Sequence, residues 1–284
     1  AERHVCTTET LDELATSAAR RALESAGVEA GELDLIVCST TTADHLVPAQ
    51  ACAVAALLGA TCPAFDVSAA CAGFIFGIDV AEGWFARGRA RRALIVSAEK
   101  FSRTLDWADR GTCVLFGDGA AAAVLGKGGP SPLYLRLETQ ADAESLEVAG
   151  VAGTSPFDET PKRPSVLLME GRRVFKFGVN AIADSIRDMC AGAGVEVGDI
   201  DHFVLHQANE RILASAIARL GIDDARVVRT LEHTGNISSA CVPYALDALA
   251  RSGELHDGEL VALVGFGAGL DVGSCLLRWG TAAG

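Results

Sequence analysis

SAGVEAGELDLIV (residues 25–37) returns as GAGVEVGDIDHFV (residues 192–204). Seven of the thirteen positions are identical without a gap: Ala26/Ala193, Gly27/Gly194, Val28/Val195, Glu29/Glu196, Gly31/Gly198, Asp34/Asp201 and Val37/Val204. Each copy closes a helix and opens a strand. Residues 11–25 and 179–193 carry apolar side chains at helical spacing, a glycine follows as a helix stop, and an apolar run comes next. The copies stay in step downstream. A helix follows Cys71 and ends near Gly88, before a strand at 93–97; a helix follows Asn236 and ends near Gly253, before a strand at 260–265. Strands alternating with helices imply parallel units with right-handed crossovers. The fold expected is α/β, a duplicated domain whose halves are related by a pseudo-twofold axis.

Both halves are expected to finish in a glycine-rich hairpin, FGDGAAAAVLG (116–126) and GFGAGLDVGSCLL (265–277). The N-terminal half then covers 1–126 and the C-terminal half 176–284. Residues 127–175 join them, opening on the turn-rich KGGPSP and continuing as a polar excursion over the surface, a candidate cover for a site.

Working outward from the repeat, the run FDVSAACAGFIFG (65–77) carries a strand through small residues to Cys71 and straight into a helical pattern. A thiol at a helix N-terminus faces partial positive charge and free N–H groups, which favour the thiolate. The plainer reading is a small buried hydrophobe. The repeat sets Cys71 beside Ser239 and Ser68 beside Asn236, so a pseudo-twofold brings both helix starts to the centre. His206 directly follows the apolar 203–205, the strand-end address where open α/β sheets place ligand sites; the alternative is a loop histidine capping a helix. Asn236 in TGNIS could serve only a turn, and its match to a glycosylation acceptor is discounted for a cytosolic chain. His233 is a weaker candidate, and His4, His45, His202 and His256 are read as surface residues. GFGAGL (265–270) is a poor dinucleotide fingerprint, because a strand follows where a helix should open. A tight turn with exposed N–H groups, fit for an oxyanion, is the better reading.

Bulk properties narrow the class. The chain has 284 residues, half of them hydrophobic, and a net charge of −13, which makes nucleic acid an unexpected partner. No apolar run approaches the ~20 residues of a membrane span, so no membrane insertion is expected. Nine cysteines, without C-x-x-C spacing, suggest reduced thiols and a cytoplasmic setting. No metal is expected, since no Cys/His cluster has ligand spacing.

As an ordered set, FDVSAACAGF, DRGTCVLFGDGAAAAVL (109–125), LHQANERI (205–212), HTGNISSA (233–240) and GFGAGL resemble the β-ketoacyl-[acyl-carrier-protein] synthase III family. These are the initiating condensing enzymes of type II fatty acid synthesis, with a thiolase fold of duplicated α-β-α-β-α halves. The match runs from Glu2 to Trp279. It implies a catalytic Cys71, His206 and Asn236. Cys71 would attack an acyl-CoA primer and release CoA. His206 and Asn236 would stabilise the enolate formed when malonyl-acyl carrier protein loses CO₂. The oxyanion would rest on the N–H groups of Cys71 and Ala268, with Phe266 gating the thiol. Substrate contacts would fall to Arg110 on the CoA adenine, Asn209 and the Gly171 backbone on pantetheine, Arg211 at the tunnel mouth, and Leu115 and Phe116 in the acyl pocket.

The same resemblance implies a homodimer in which the residue before Pro48 enters the partner's acyl pocket. That residue is Val47, where some relatives carry Phe, so longer or branched primers are expected. No cofactor is implied; acyl-CoA and malonyl-acyl carrier protein are substrates. Two departures stand out. Family members begin several tens of residues earlier, with a first core strand and a Trp and Arg that grip CoA, so residues ahead of Ala1 are expected. Asp271-Val272 replaces the usual Thr-Trp, which points toward secondary metabolism. Competing readings are acyl transfer or condensation in polyketide-type assembly, a thiolase using Cys275 as second cysteine, and a non-catalytic partner subunit.

Overall fold

The computed structural model describes residues 2–129, 131–150, 156, 157, 159, 161 and 163–280. The first half contains α1 (Leu11–Ala26), β1 (Leu35–Ser39), α2 (Gln50–Leu58), β2 (Ala64–Val67), α3 (Gly73–Ala86), β3 (Arg92–Lys100) and β4 (Asp118–Gly126). Its sheet has the order β2-β1-β3-β4, with β4 alone antiparallel. Next come β5 (Tyr134–Asp142) and a small ribbon, β6 (Leu146–Val148) with β7 (Leu167–Met169). The second half continues with α4 (Gly171–Ala193), β8 (His202–Leu205), α5 (Glu210–Leu220), α6 (Leu231–Thr234), α7 (Cys241–Ser252), β9 (Leu260–Gly267) and β10 (Gly269–Arg278). Its sheet has the order β5-β10-β9-β8.

The repeated residues do the same work twice. Gly27 and Gly194 end α1 and α4 in the left-handed conformation, φ 62° and 68°, where a side chain is strained. The N–H groups of Glu29 and Glu196 donate to the carboxylates of Glu32 and Asp199, at 2.9 and 2.8 Å, closing equivalent single turns. Asp34 accepts the N–H groups of Arg91 and Arg92 at the start of β3, and Asp201 accepts that of Leu260 at the start of β9. Val37 and Val204 face one central core. The duplication read from the sequence is therefore a duplication of capping, register and burial.

Three cores sandwich the two sheets into five layers. α1 and α2 cover the outer face of the first sheet, and α4 and α5 cover that of the second. Between the sheets lie α3 and α7, packed with Leu35, Val37 and Ile95 from one sheet and Val204, Val261 and Leu263 from the other. This is the thiolase architecture that the resemblance implied. Helix α3 is apolar nearly all round, as a helix between two sheets must be. Its fully buried Phe74 and Ile75 each contribute about 1.5–3 kcal/mol by leaving water. Glycines let it lie close: a Cβ on Gly73 would fall 1.7 Å from Ser39 Oγ, and one on Gly77 2.7 Å from the Ile95 side chain.

Two expectations are corrected. FGDGAAAAVLG is not a hairpin but β4 itself, joined to β3 through the whole of 101–117. Asp118 holds that connection, accepting from Ser102 N–H and Oγ at 2.8 and 2.7 Å and from Cys6 N–H at 2.8 Å. Within 127–175, residues 134–142 form β5 and complete the edge of the second sheet. Part of the polar excursion, 151–155 with 158, 160 and 162, lies outside the described residues.

Candidate active site

β2 delivers the chain to a single 3-10 turn, Ala70–Ala72, and α3 follows at once. In the second half an equivalent turn, Ser238–Ala240, precedes α7. The two turns meet where the strand ends of the two sheets converge. Cys71 Sγ lies 3.4 Å from Ser238 Oγ. A Cβ on Gly267, at the end of β9, would lie 2.7 Å from Cys71 N. Only glycine lets β9 approach the Cys71 turn so closely.

Cys71 does not carry the activated thiol expected from its helix address. Burial pushes its pKa up to about 12, opposed by the Ser238 hydrogen bond and reinforced by the charge of Glu99. Desolvation disfavours the thiolate more than the helix start favours it. At rest Cys71 is a thiol.

His206 follows β8 and donates its N–H to Val264 O of β9 at 2.8 Å. Its ring stands edge-on to Phe266, centroids 5.0 Å apart, and burial pulls its pKa down to about 3. The imidazole is therefore neutral. Nδ1 is buried without a hydrogen-bond partner. Phe266 fits because Gly178 of α4 has no side chain, since a Cβ there would strike its ring at 2.7 Å.

Asn236 is clamped by the other half. Its N–H donates to Leu115 O at 2.9 Å, and its O accepts from Gly117 N–H at 3.0 Å. Its Oδ1 accepts from Ser238 N–H at 2.9 Å, with the Cys241 thiol 3.6 Å away. The carbonyl end of the amide is thereby fixed and the amino end is left to donate. Gln207 braces the approach: its Nε2 donates to Leu205 O and Val228 O, and its Oε1 accepts from Thr230 and Leu231 N–H.

The remaining expected residues fall in several places. Ala268 is the half-buried turn between β9 and β10. Phe116 is buried and stacks on Phe101 at 4.8 Å, while Leu115 is half-buried beside it. Asn209 caps α5, its Oδ1 accepting from Ile212 N–H at 3.0 Å. Arg110, Arg211 and Gly171 are exposed. Val47 is 82 % exposed beside Leu46 at 99 %. Cys275 packs in the central core with its pKa pushed up to about 12, so it is a buried hydrophobe there. Asp271 accepts from Thr139 Oγ at 2.6 Å, and Val272 packs under α4. Of the histidines read as surface residues, His202 is instead half-buried, with Nε2 3.1 Å from Glu259. Among the described residues no cluster could hold a metal ion and no helix is long and apolar enough to cross a membrane.

Glu99 and Ser238 were not singled out in the sequence. Glu99 ends the apolar run of β3, the same strand-end address as His206, and that position was the available signal. It is fully buried. Its carboxylate accepts from Thr42 Oγ (2.6 Å), Thr41 N–H (3.2 Å), Ser239 Oγ (3.0 Å) and Ser238 Oγ (3.3 Å).

The chain matches the family described as 3-oxoacyl-[acyl-carrier-protein] synthase III over residues 65–143, and its C-terminal region over 190–279. It is 47 % identical, over 93 % of its length and 80 % of the relative's, to a β-ketoacyl-[acyl-carrier-protein] synthase III of Bordetella petrii. The crystal structure of 3-oxoacyl-(acyl carrier protein) synthase III from Pseudomonas aeruginosa superposes with a TM-score of 0.90 at 38 % identity, covering 99 % of this chain and 87 % of that one. A priming β-ketosynthase from the R1128 polyketide pathway does so at 0.89 and 38 %, covering 99 % and 85 %.

Proposed function

This chain belongs to the 3-oxoacyl-[acyl-carrier-protein] synthase III family, and from that membership we propose that it condenses an acyl-CoA primer with malonyl-acyl carrier protein through an acyl-Cys71 intermediate. The observation that carries the proposal is the meeting of the Cys71 turn with the Asn236–Ser238 loop and with Phe266–Gly267, which His206 abuts. The Cys71 sulfur attacks the thioester carbonyl and CoA departs. The backbone N–H groups of Cys71 and Ala268 receive the oxyanion. Malonyl-carrier protein then binds. A neutral His206 and the Asn236 amino group donate to its thioester oxygen as CO₂ leaves, and the enolate attacks the acyl carbonyl. A neutral donor suits this task, because it stabilises the enolate without protonating it. Phe266, packed on His206, gates the thiol and helps to expel CO₂.

The substrate contacts follow from the same membership. Arg110 stacks on the CoA adenine, Asn209 and the Gly171 backbone meet pantetheine, and Arg211 marks the tunnel mouth. Exposed arginines there suit an acidic carrier protein docking on a chain of net charge −13. Leu115, Phe116 and a partner's loop bound the acyl pocket. The exposure of the adjacent Leu46 and Val47 supports a second copy covering this loop, and the working unit in this reading is a homodimer. All nine cysteines are free, in keeping with a reducing cytoplasm.

A second reading keeps the chemistry and changes the product. Asp271-Val272 carries this reading, with the R1128 ketosynthase as a similar structure; the synthase III relatives keep fatty acid initiation as the primary one. Product analysis with fatty acid and polyketide carrier proteins, each loaded with malonyl groups, decides between the two. Faster turnover on the fatty acid carrier supports initiation.

A further inference from the structure

Among the described residues, Glu99 is the one buried carboxylate that lies two hydrogen bonds from Cys71, and the mechanism above leaves it unused. It comes from the first half, at the end of β3, yet its Oε1 is held by Ser238 and Ser239 of the second half. Ser238 Oγ in turn lies 3.4 Å from Cys71 Sγ. A carboxylate can only accept, so the single hydroxyl hydrogen of Ser238 points to Glu99 and its lone pair faces the thiol. The chain of donors is directional: Cys71 S–H to Ser238 Oγ, Ser238 O–H to Glu99.

We propose that Glu99 holds the thiol proton of Cys71 through the reaction cycle, receiving it by way of Ser238 and returning it when product leaves. The inference rests on the acyl-Cys71 reading above. In the first step the Cys71 sulfur bonds to the thioester carbon and the carbon–sulfur bond to CoA breaks. The thiol proton moves to Ser238 Oγ while the proton of Ser238 moves to Glu99. CoA leaves with the bonding electron pair and takes a proton from water. In the second step the enolate carbon bonds to the acyl carbon. Cys71 departs as thiolate and takes back a proton from Ser238, which Glu99 replenishes. The cycle consumes one external proton, the one CoA carries away.

His206 is a poor alternative for this role. Its imidazole is held far from protonation by burial against Phe266. Glu99 is well placed by comparison. Besides the hydroxyls of Thr40, Thr41, Thr42, Ser238 and Ser239, the titratable groups facing it are the thiols of Cys38 on β1, Cys71, and Cys241 on α7. No cation pairs with it among the described residues, and the neighbouring Lys100 donates instead to Glu9 O. Burial raises its pKa while the hydroxyl donors hold the carboxylate form, an opposition that suits a group meant to accept a proton and release it.

The competing role is structural, a carboxylate that knits Thr40–Thr42 to the Ser238 turn. Two variants separate the roles. Ser238→Ala cuts the relay and leaves Glu99 with its other donors. It should fold, because Ala70 holds the same backbone conformation at the equivalent place, φ 43° against 51°. Glu99→Gln keeps an acceptor and removes the base, and Glu99→Asp restores a carboxylate. Acyl-enzyme formation is followed by quenched-flow intact mass from pH 5 to 9, with acetyl-CoA and a longer acyl-CoA as probes. The relay requires wild-type acylation to rise along one ionisation and level off. It also requires Ser238→Ala and Glu99→Gln to acylate about a hundredfold more slowly with that ionisation gone, and Glu99→Asp to recover part of the rate. Wild-type rates and pH profiles in both variants would overturn the relay while leaving the acyl-Cys71 reading intact. A wild-type protein that takes no acyl group from either probe overturns both.

Discussion

Ala70 and Ser238, one in each half of the chain, are the two non-glycine residues with positive φ among those described, at 43° and 51°. Each opens a single 3-10 turn at the start of a central helix. A conformation that costs about 1–2 kcal/mol per residue has been kept twice. In one half it aims Cys71, the proposed nucleophile, and in the other it aims the Ser238 hydroxyl that meets it. At Ala70 a β-branched side chain should be far less tolerable than alanine. Ala70→Val is expected to lower stability by about 2–3 kcal/mol in urea denaturation, with Ala70→Gly within about 1 kcal/mol of the parent. Equal stability of the valine variant would contradict the account.

Gly267→Ala should be severe for a different reason. Its Cβ would land 2.7 Å from the Cys71 backbone nitrogen, which cannot rotate away. Acylation is expected to fall about a hundredfold, with a stability loss of about 1–3 kcal/mol. Gly83→Ala is the control. A Cβ there meets nothing within 4 Å, and within α3 it should stabilise by about 0.5–1 kcal/mol. Matching effects at the two glycines in a thermal melt and an acylation assay would show that close approach is not the cause.

His206 gives a pH dependence whose sign follows from its depressed pKa. The unfolded chain takes up the proton as pH falls through about 6.5, whereas the folded protein holds the ring neutral down to about 3. The protein therefore loses stability on acidification across that window, by up to about 1.4 kcal/mol per pH unit, and gains nothing from this group above it. Urea midpoints measured from pH 7 to 4 should fall more steeply for the wild type than for His206→Gln. Parallel curves would mean that the ring is not buried neutral.

Val47→Phe tests the acyl pocket and its sharing between subunits together. The larger ring should cut kcat/KM for primers of six or more carbons at least tenfold relative to acetyl-CoA, the scale set by a few methylenes in an apolar pocket. An unchanged ratio places Val47 outside the pocket.

The fold was legible because the repeat records paired tasks. Gly27 and Gly194 cap, Asp34 and Asp201 set the register of the next strand, and Val37 and Val204 fill one core. Strand-end position likewise pointed to Cys71 and His206. Three things were not legible, each because its cause is tertiary. The thiol pKa goes up rather than down, since β9 and Glu99 enclose Cys71 while the local sequence shows only the helix start. Glu99 lies two residues past the strand read at 93–97, and the serines that mark it out come from the second half of the chain. Residues 134–142 read as connection because an edge strand that is mostly half-buried or exposed carries little apolar signal.

The central claim, a covalent acyl group on Cys71 that malonyl-carrier protein consumes, is tested most directly by intact mass spectrometry after incubation with acyl-CoA. The account predicts a mass increase of one acyl group that maps to Cys71, is absent in Cys71→Ser, and is lost on adding malonyl-carrier protein as 3-oxoacyl product forms. An acyl group that persists in Cys71→Ser, or that malonyl-carrier protein leaves in place, would contradict it.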